Sequence, residues 1–192
     1  RNWPSASCPT SADPVPVQHT VDRDAVIGLV HDLGDELGTT IIVVTHQPFY
    51  SPRAGRDNAL LRKHLLPVIR RHAVDLVLQG HDHVYGRRLP GEAPTPVFVV
   101  SVAGAKQYRL SEQAQRTMRP VAEDTQLFQV VRIDGAHLRY EARTATGRLY
   151  DAFELRDDGS AKSLVDLPEG RIDERRCERA KTLKGRADRC WE

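Results

Sequence analysis

Long apolar runs are missing from this chain of 192 residues, and none approaches the roughly 20 residues that a membrane span needs. An excess of one charge is missing too, because 28 Lys and Arg stand against 26 Asp and Glu for a formal net charge of +2. Such a near-neutral chain has no electrostatic footprint for nucleic acid or for an acidic membrane surface, so we predict neither partner. The length is typical of one domain with a real core.

A leader peptide is also missing, since residues 1–5 begin no hydrophobic segment. The chain is therefore expected to be either cytoplasmic or a processed or truncated piece.

Only three cysteines occur. Cys177 and Cys190 flank a polar, basic stretch and favour a short-loop disulfide over two idle thiols, which in turn favours a secreted or periplasmic protein. Cys8 is left over, and its partner is expected in sequence beyond this chain.

The order of predicted elements indicates an α/β fold. Residues 1–21 are an irregular lead-in, and an apolar stripe at helical spacing predicts a helix from Asp22 that Gly38 ends. A second helix begins near Asp57, and Pro67 should kink or split it. The residues predicted to be buried by this helix are Leu60, Leu61, Leu65, Val68 and Ile69. Continuous apolar runs predict buried strands, parallel to their neighbours, at residues 39–45, 74–79 and 97–102.

The second part of the chain has an antiparallel pattern. Strands at 127–133 and 137–143 flank Asp134-Gly135, a pair that favours a type I′ hairpin turn, and a further strand is predicted at 149–155. Residues 22–156 therefore form the predicted domain. Residues 157–192 are interpreted as a charged tail, held by the proposed disulfide.

Three histidines follow predicted strands directly. His46 comes after the first strand, and Gly80 joins the second strand to His81, with His83 two residues on. Ligands bind at the carboxyl edge of open α/β sheets, where neighbouring strands are about 4.8 Å apart. A backbone carbonyl could satisfy one buried histidine, but three converging on one edge favour a metal site, since imidazole binds zinc, iron or manganese well. The other histidines lie in polar or helical contexts and are not predicted to be ligands.

Two blocks of sequence resemble those of the calcineurin-like metallophosphoesterases. Residues 43–48 (V-V-T-H-Q-P) resemble the family's V-x-x-H-x-P block, and residues 80–83 (G-H-D-H) resemble its G-H-x-H block. Residues 84–87 are similar to the H-x-Y-E-R ending of purple acid phosphatases, with Gly86 where glutamate is usual. The resemblance covers roughly residues 20–155. It implies the second half of the family's β-sandwich, flanked by helices, with parallel-type strands followed by an antiparallel meander.

The resemblance also implies two-metal hydrolysis of phosphate esters. Carried over by position, His46 and His81 would bind one ion and His83 the other, the ions being iron, zinc or manganese. Two such ions neutralise the charge of the ester and turn a bridging water into a nucleophile near neutral pH.

The substrate side of the implied site rests on the loop after His46. Tyr50 and Arg56 are predicted to bind substrate, since a guanidinium can hold phosphate oxygens bidentately; solvated loop charge is the alternative for Arg56. Arg53 and Lys106 are left undecided, and no residue is assigned as the general acid. Asp82 is expected to support the ligands from behind or to face solvent.

The family's carboxylate-bearing blocks, D-x-H, G-D-x-x and G-N-H, have no counterpart here. Gly34-Asp35 lies within the first predicted helix and not at a strand end. Three accounts remain. The favoured one is a phosphoric ester hydrolase, a phosphomonoesterase by preference, whose missing N-terminal half supplies the carboxylates. The others are a mononuclear three-histidine zinc enzyme and a non-catalytic binding module that keeps the fold.

Overall fold

A computed structural model describes residues 40–89, 91, 93–101 and 103–177, together with the backbone of 189–191. The lead-in, the helix predicted from Asp22 and the side chains of Cys8 and Cys190 lie outside the described residues. The elements in chain order are β1 (Ile42–Thr45), α1 (Ala59–Arg71), β2 (Leu76–Gln79), β3 (Tyr85–Arg88), β4 (Val97–Val100), β5 (Gln107–Tyr108), α2 (Glu112–Thr117), β6 (Met118–Ala122), β7 (Leu127–Asp134), β8 (His137–Thr144), β9 (Leu149–Asp157), β10 (Lys162–Asp166) and β11 (Arg189–Trp191).

The first sheet has five strands in the order β1-β2-β4-β3-β6. β1, β2 and β4 run parallel, as predicted, and β3 lies antiparallel between β4 and β6. The sequence did not predict β3 or β6, because Gly86 and Pro120 weaken their strand signals. Pro120 is tolerated because β6 ends the sheet in the described part of the chain.

The second sheet is an antiparallel meander in the order β10-β9-β8-β7. The predicted hairpin is present, but Asp134 pairs with His137, so its loop residues are Gly135 and Ala136 and not Asp134-Gly135. Gly135 has φ +56, and a glycine at the first loop position is what a type II′ turn requires. β10 lies within the segment that the sequence assigned to the tail. A third, two-stranded sheet pairs β11 with β5.

Two parts of the core lie on opposite faces of the first sheet, because successive side chains of a strand point to opposite faces. Val99 packs into the larger part, shared with the second sheet and including Tyr140 and Phe153. Phe98 and Val77 pack on the other face, against α1. A third part includes Ala114 of α2 and Met118 of β6. Each fully buried side chain of this kind contributes about 1.5–3 kcal/mol. The architecture is thus a helix, a mixed sheet and an antiparallel sheet in layers, and the α/β prediction is confirmed.

Several burial predictions are wrong. α1 runs from Ala59 to Arg71 without a break at Pro67, and its buried face includes Leu66 instead of Leu60, which is 73% exposed. β1 is not buried on both faces, since Val44 is 76% exposed. Val44 shares a face with Ile42, but the described part of the second sheet covers only Ile42. None of the described helices could cross a membrane.

Candidate metal centre

The register of β1 and β2 places two of the predicted ligands at one edge of the sheet. Thr45 and Gln79 are partners at the ends of these parallel strands. His46 follows Thr45, and His81 follows Gln79 after Gly80. The chain direction of both strands therefore delivers these imidazoles to the carboxyl edge, as predicted for a ligand site.

His46 and His81 are in direct contact. Nδ1 of His81 lies 2.8 Å from Nε2 of His46, and the rings meet edge to face with centroids 4.8 Å apart. Metal–nitrogen bonds of about 2.0–2.1 Å, at octahedral or tetrahedral angles, separate two ligand nitrogens by about 2.9–3.4 Å. The pair is thus close to the spacing that two ligands of one ion would have.

His83 stands apart from this pair. Its Nδ1 is 3.0 Å from the carbonyl oxygen of Lys106, and its ring packs edge-on against Tyr108 at 5.7 Å. A proton donated from Nδ1 to this carbonyl leaves Nε2 as the metal-binding atom, which is how proteins commonly orient ligating histidines. Within the described ranges, no three His, Cys, Asp or Glu side chains gather as a metal site. The structure therefore brings His46 and His81 together, and His83 is not joined to them.

The backbone of the histidine turn is in a conformation that L-residues seldom adopt. φ is +68 at His81 and +40 at His83, both in the left-handed region. Such residues cost on the order of 1–3 kcal/mol each and persist where their surroundings fix them. Here the Asp82 N–H donates to the Gly80 carbonyl at 2.8 Å, and the Tyr108 N–H donates to the His83 carbonyl at 3.2 Å. The sequence predicted a bend at Gly80 but not this strained backbone.

Asp82 lies between the two strained histidines and is fully buried. The Ser51 hydroxyl donates to its Oδ2 at 2.5 Å, and Nε of Arg56 forms an ion pair with its Oδ1 at 2.7 Å. Of the two expectations for Asp82, support from behind the ligands fits this burial and exposure to solvent does not.

The surroundings favour the neutral form of His81. Burial lowers the pKa of this imidazole, the positive charge of Arg56 lowers it further, and the charge of Asp82 acts in the opposite direction. Neutral imidazole is the form that binds a metal ion. Arg56 reaches this turn through its ion pair with Asp82, the neighbour of His81 in the chain.

Tyr50 lies in a different environment. The guanidinium of Arg88 stacks 3.8 Å above its ring, and Phe98 meets it edge-on at 5.1 Å. Among the described residues, Tyr50 lines a cavity of about 390 Å³ with Arg70 and Arg88, and no histidine shares that lining. The structure thus brings Arg56, but not Tyr50, into the neighbourhood of the histidine turn.

A cationic cluster on Tyr108 was not predicted. The guanidinium of Arg53 lies 3.9 Å from the centre of this ring and the Lys106 ammonium lies 5.1 Å from it. Because His83 packs on the edge of the same ring, Tyr108 places two positive charges near the third predicted ligand. No sequence signal marks Tyr108, since Arg53 and His83 come from segments more than 20 residues away.

Comparison with known proteins shows similarity at the level of structure. No protein-family profile and no curated protein sequence matches the chain. Purple acid phosphatase PPD1 from yellow lupin (Lupinus luteus) seeds is similar with a TM-score of 0.56 and 18% identity, over 71% of this chain and 28% of that one. GAP50, the anchor in the inner membrane complex of Plasmodium, has a TM-score of 0.53 and 16% identity, over 76% of this chain and 43% of that one. PhoD gives 0.47 and 9%, over 81% and 37%.

The chain shares part of its fold with the lupin purple acid phosphatase and with GAP50. The chain spans 28% of the length of the lupin structure and 43% of GAP50, so it corresponds to part of that fold. The donors at this edge, two imidazole nitrogens in contact and a third imidazole apart from them, are of a type that binds zinc, iron or manganese. A carboxylate to bridge two ions is not among the described residues gathered at the edge.

Proposed function

We propose that this chain contributes the histidine side of the metal site of a phosphoric ester hydrolase, by preference a phosphomonoesterase. The observation that carries the proposal is the contact of His46 and His81, 2.8 Å apart, at the carboxyl ends of adjacent parallel strands. The fold similarity to a purple acid phosphatase supports it, because the match to that structure covers 71% of this chain.

The residues divide into three proposed roles. Nε2 of His46 and Nδ1 of His81 hold one ion, and Nε2 of His83 holds a second, with the Lys106 carbonyl orienting the His83 ring. When bound, iron, zinc or manganese ions supply a water activated near neutral pH and neutralise the ester's charge. Arg56 binds phosphate oxygens through its guanidinium, a planar donor that suits them. Tyr50 was predicted to share this role, and its packing against Arg88 gives no support for it.

The carboxylate ligands are proposed to come from a segment that precedes this chain in a longer protein. The partial coverage of the lupin structure supports this, as does the lack of a D-x-H or G-N-H block in the sequence. The predicted Cys177–Cys190 disulfide and a secreted or periplasmic location remain proposals of the same kind, since the Cys190 side chain lies outside the described residues.

Metal content and hydrolysis of an aryl phosphate test the proposal, measured on the complete reading frame that contains this chain. The parent protein should hold two metal ions per molecule. His46→Ala should remove about one of them and lower kcat by about 100-fold or more, because one ion loses half of its histidine ligands. His137→Ala, at an exposed position on β8, is the matched control and should change neither quantity.

Two results would contradict the proposal in different ways. Wild-type metal content in His46→Ala would overturn the ligand assignment. A parent protein with neither metal nor hydrolysis would favour the binding module instead, a role in keeping with the description of GAP50 as an anchor.

A further inference from the structure

The variable position of the G-H-x-H block is occupied here by a buried acid, and we propose that Asp82 is a positioning residue for phosphate binding. It holds the guanidinium of Arg56 at the turn that carries His81 and His83, where that guanidinium receives the phosphate group of the substrate. This inference rests on the proposed function and names the feature of this chain that prepares its anion site.

Because Asp82 is buried, its partners determine whether its negative charge is tolerated. Its side chain is 0% exposed, and a carboxylate in such a place is costly unless it is paired and hydrogen-bonded. Both of its oxygens have partners from one loop, residues 51–56. Oδ2 accepts the Ser51 hydroxyl at 2.5 Å. Oδ1 lies 2.7 Å from Arg56 Nε in an ion pair that lacks hydrogen-bond geometry. Asp82 therefore ties this loop to the turn that carries the proposed ligands.

The same loop is fixed at its other contacts, so Arg56 is held by a rigid support. Ser51 Oγ also accepts the Arg53 N–H at 3.2 Å, and the Ser111 N–H donates to the Pro52 carbonyl at 2.8 Å. Arg53 forms a bridge with Leu110 as well. A donor that is already ordered loses little entropy on binding a ligand, which strengthens its contribution to affinity.

The contact with Asp82 leaves the Nη end of the Arg56 guanidinium to bind an anion. Its pairing with Asp82 uses Nε, whereas a guanidinium has five N–H donors, and its side chain is 25% exposed. The terminal Nη groups are the ones that form two parallel hydrogen bonds to phosphate oxygens. Without the carboxylate, the flexible stem of Arg56 could turn away. Phosphate affinity would fall even with both metal ions in place.

Inorganic phosphate is the probe for this idea, measured by calorimetry and as a competitive inhibitor of the parent protein. Arg56→Gln and Asp82→Asn should each weaken phosphate binding by about 10-fold, the loss expected for a charged hydrogen bond. The double variant should be no weaker than the worse single variant, because the two residues act as a unit. KM for the ester should rise with phosphate Kd, while kcat changes much less.

Arg62→Gln is the matched control. Arg62 also pairs with one acid, Asp57 at 2.5 Å, and its side chain is 26% exposed, close to the 25% of Arg56. It should leave the phosphate Kd unchanged. If Asp82→Asn does not fold, Ser51→Ala loosens the same carboxylate from the other side and should weaken phosphate binding by about 3-fold.

The outcomes separate this inference from the proposed function. A metal-loaded Asp82→Asn or Ser51→Ala variant with wild-type phosphate affinity would overturn the positioning role, as would fully additive losses in the double variant. Loss of phosphate affinity with metal content intact supports it. A wild-type parent protein that holds no metal would instead defeat the proposed function itself.

Discussion

At the scale of single residues, Gly86 explains a departure from the H-x-Y-E-R ending that the chain otherwise resembles. It is buried in β3, and a Cβ atom added to it would lie 2.7 Å from Sδ of Met118 and 3.5 Å from Cβ of Pro52. The first distance is shorter than van der Waals contact allows, so even one carbon requires a shift. A glutamate side chain would not fit at this position, because Met118 and Pro52 pack closely against it.

Gly86→Ala should therefore lower the free energy of unfolding by about 1–3 kcal/mol, the usual cost of overpacking a core. Urea unfolding measures it. In a Met118→Ala background the cost should fall, because the clashing atom is gone; an equal cost in both backgrounds would show that Met118 is not the obstacle. Gly104→Ala, with nothing within 4 Å of the added carbon, is the control and should be nearly neutral.

The sequence could place the proposed ligands at the edge of the sheet but not the groups that surround them. His46 and His81 follow from two strand ends, and strand ends are visible as local apolar runs. The contact of Ser51 with Asp82 joins residues 31 apart in the chain, and nothing local announces it. The environment of Tyr50 was not predicted for the same reason, since its position on the loop gives no sign of the Arg88 side chain that stacks on it.

At the scale of elements, the strand pair β8 and β9 has a ladder of charges. Glu141 on β8 is paired with Arg139 at 2.9 Å and with Arg143 at 2.7 Å, and its side chain is 4% exposed. Arg139 also reaches Glu154 on β9 at 3.1 Å. One carboxylate thus neutralises two neighbours on its own strand, and the ladder depends on its charge.

Low pH should weaken this ladder of ion pairs, because Glu141 loses its charge when it is protonated. Burial by itself raises the pKa of Glu141, but hydrogen bonds from Arg139 and Arg143 outweigh it and leave the pKa below its ordinary value of 4.5. A lowered folded-state pKa gives stability that is present above the unfolded pKa and is lost as the pH falls through the folded one.

Glu141→Gln should therefore cost about 1 kcal/mol at pH 7, and the difference from wild type should shrink toward zero below about pH 4. Urea unfolding at both pH values checks this. Glu112→Gln removes a carboxylate that is 90% exposed and 3.7 Å from its partner, so it should have almost no effect at either pH. A Glu141→Gln loss that is the same at both pH values would show that charge is not its cause.

At the scale of the whole molecule, one buried ion pair joins the two sheets. Arg87 on β3 binds Asp151 on β9 through Nε at 2.8 Å and Nη2 at 3.1 Å. The Tyr85 hydroxyl donates to the same carboxylate at 2.7 Å. Asp151 is fully buried and Arg87 nearly so, and their charges are tolerated because they are paired. Each also has a second partner, since Asp166 pairs with Arg87 and Arg171 pairs with Asp151.

Removing one member of this ion pair should lower the free energy of unfolding far more than removing both members. Asp151→Ala leaves a buried guanidinium with a lost counter-ion and should cost about 3–5 kcal/mol of unfolding free energy. Adding Arg87→Met should recover much of that loss, because an apolar side chain of similar length needs no partner. Denaturant unfolding of the wild type, the single variant and the double variant tests this. A loss below about 1 kcal/mol for Asp151→Ala would show that the pair is dispensable to the packing of the two sheets.

The order of the layers could be predicted from the sequence, but how much of one layer is covered by the next could not. Parallel strands and the meander follow from local patterns of apolar residues and turns. The exposure of Val44 does not, because burial of a strand face depends on what another part of the molecule places over it. β10 was missed because Lys162–Asp166 reads as charged tail, and only its pairing with β9 makes it a strand.

The left-handed backbone at His81 and His83 sets the stability of the fold against the proposed metal binding by these residues. Glycine or asparagine suits φ values of +68 and +40 far better than histidine does. A library of variants sorted for folding yield alone would therefore drift toward those residues and lose the proposed ligands. Directed evolution of this protein toward heat resistance needs selection for metal retention in every round.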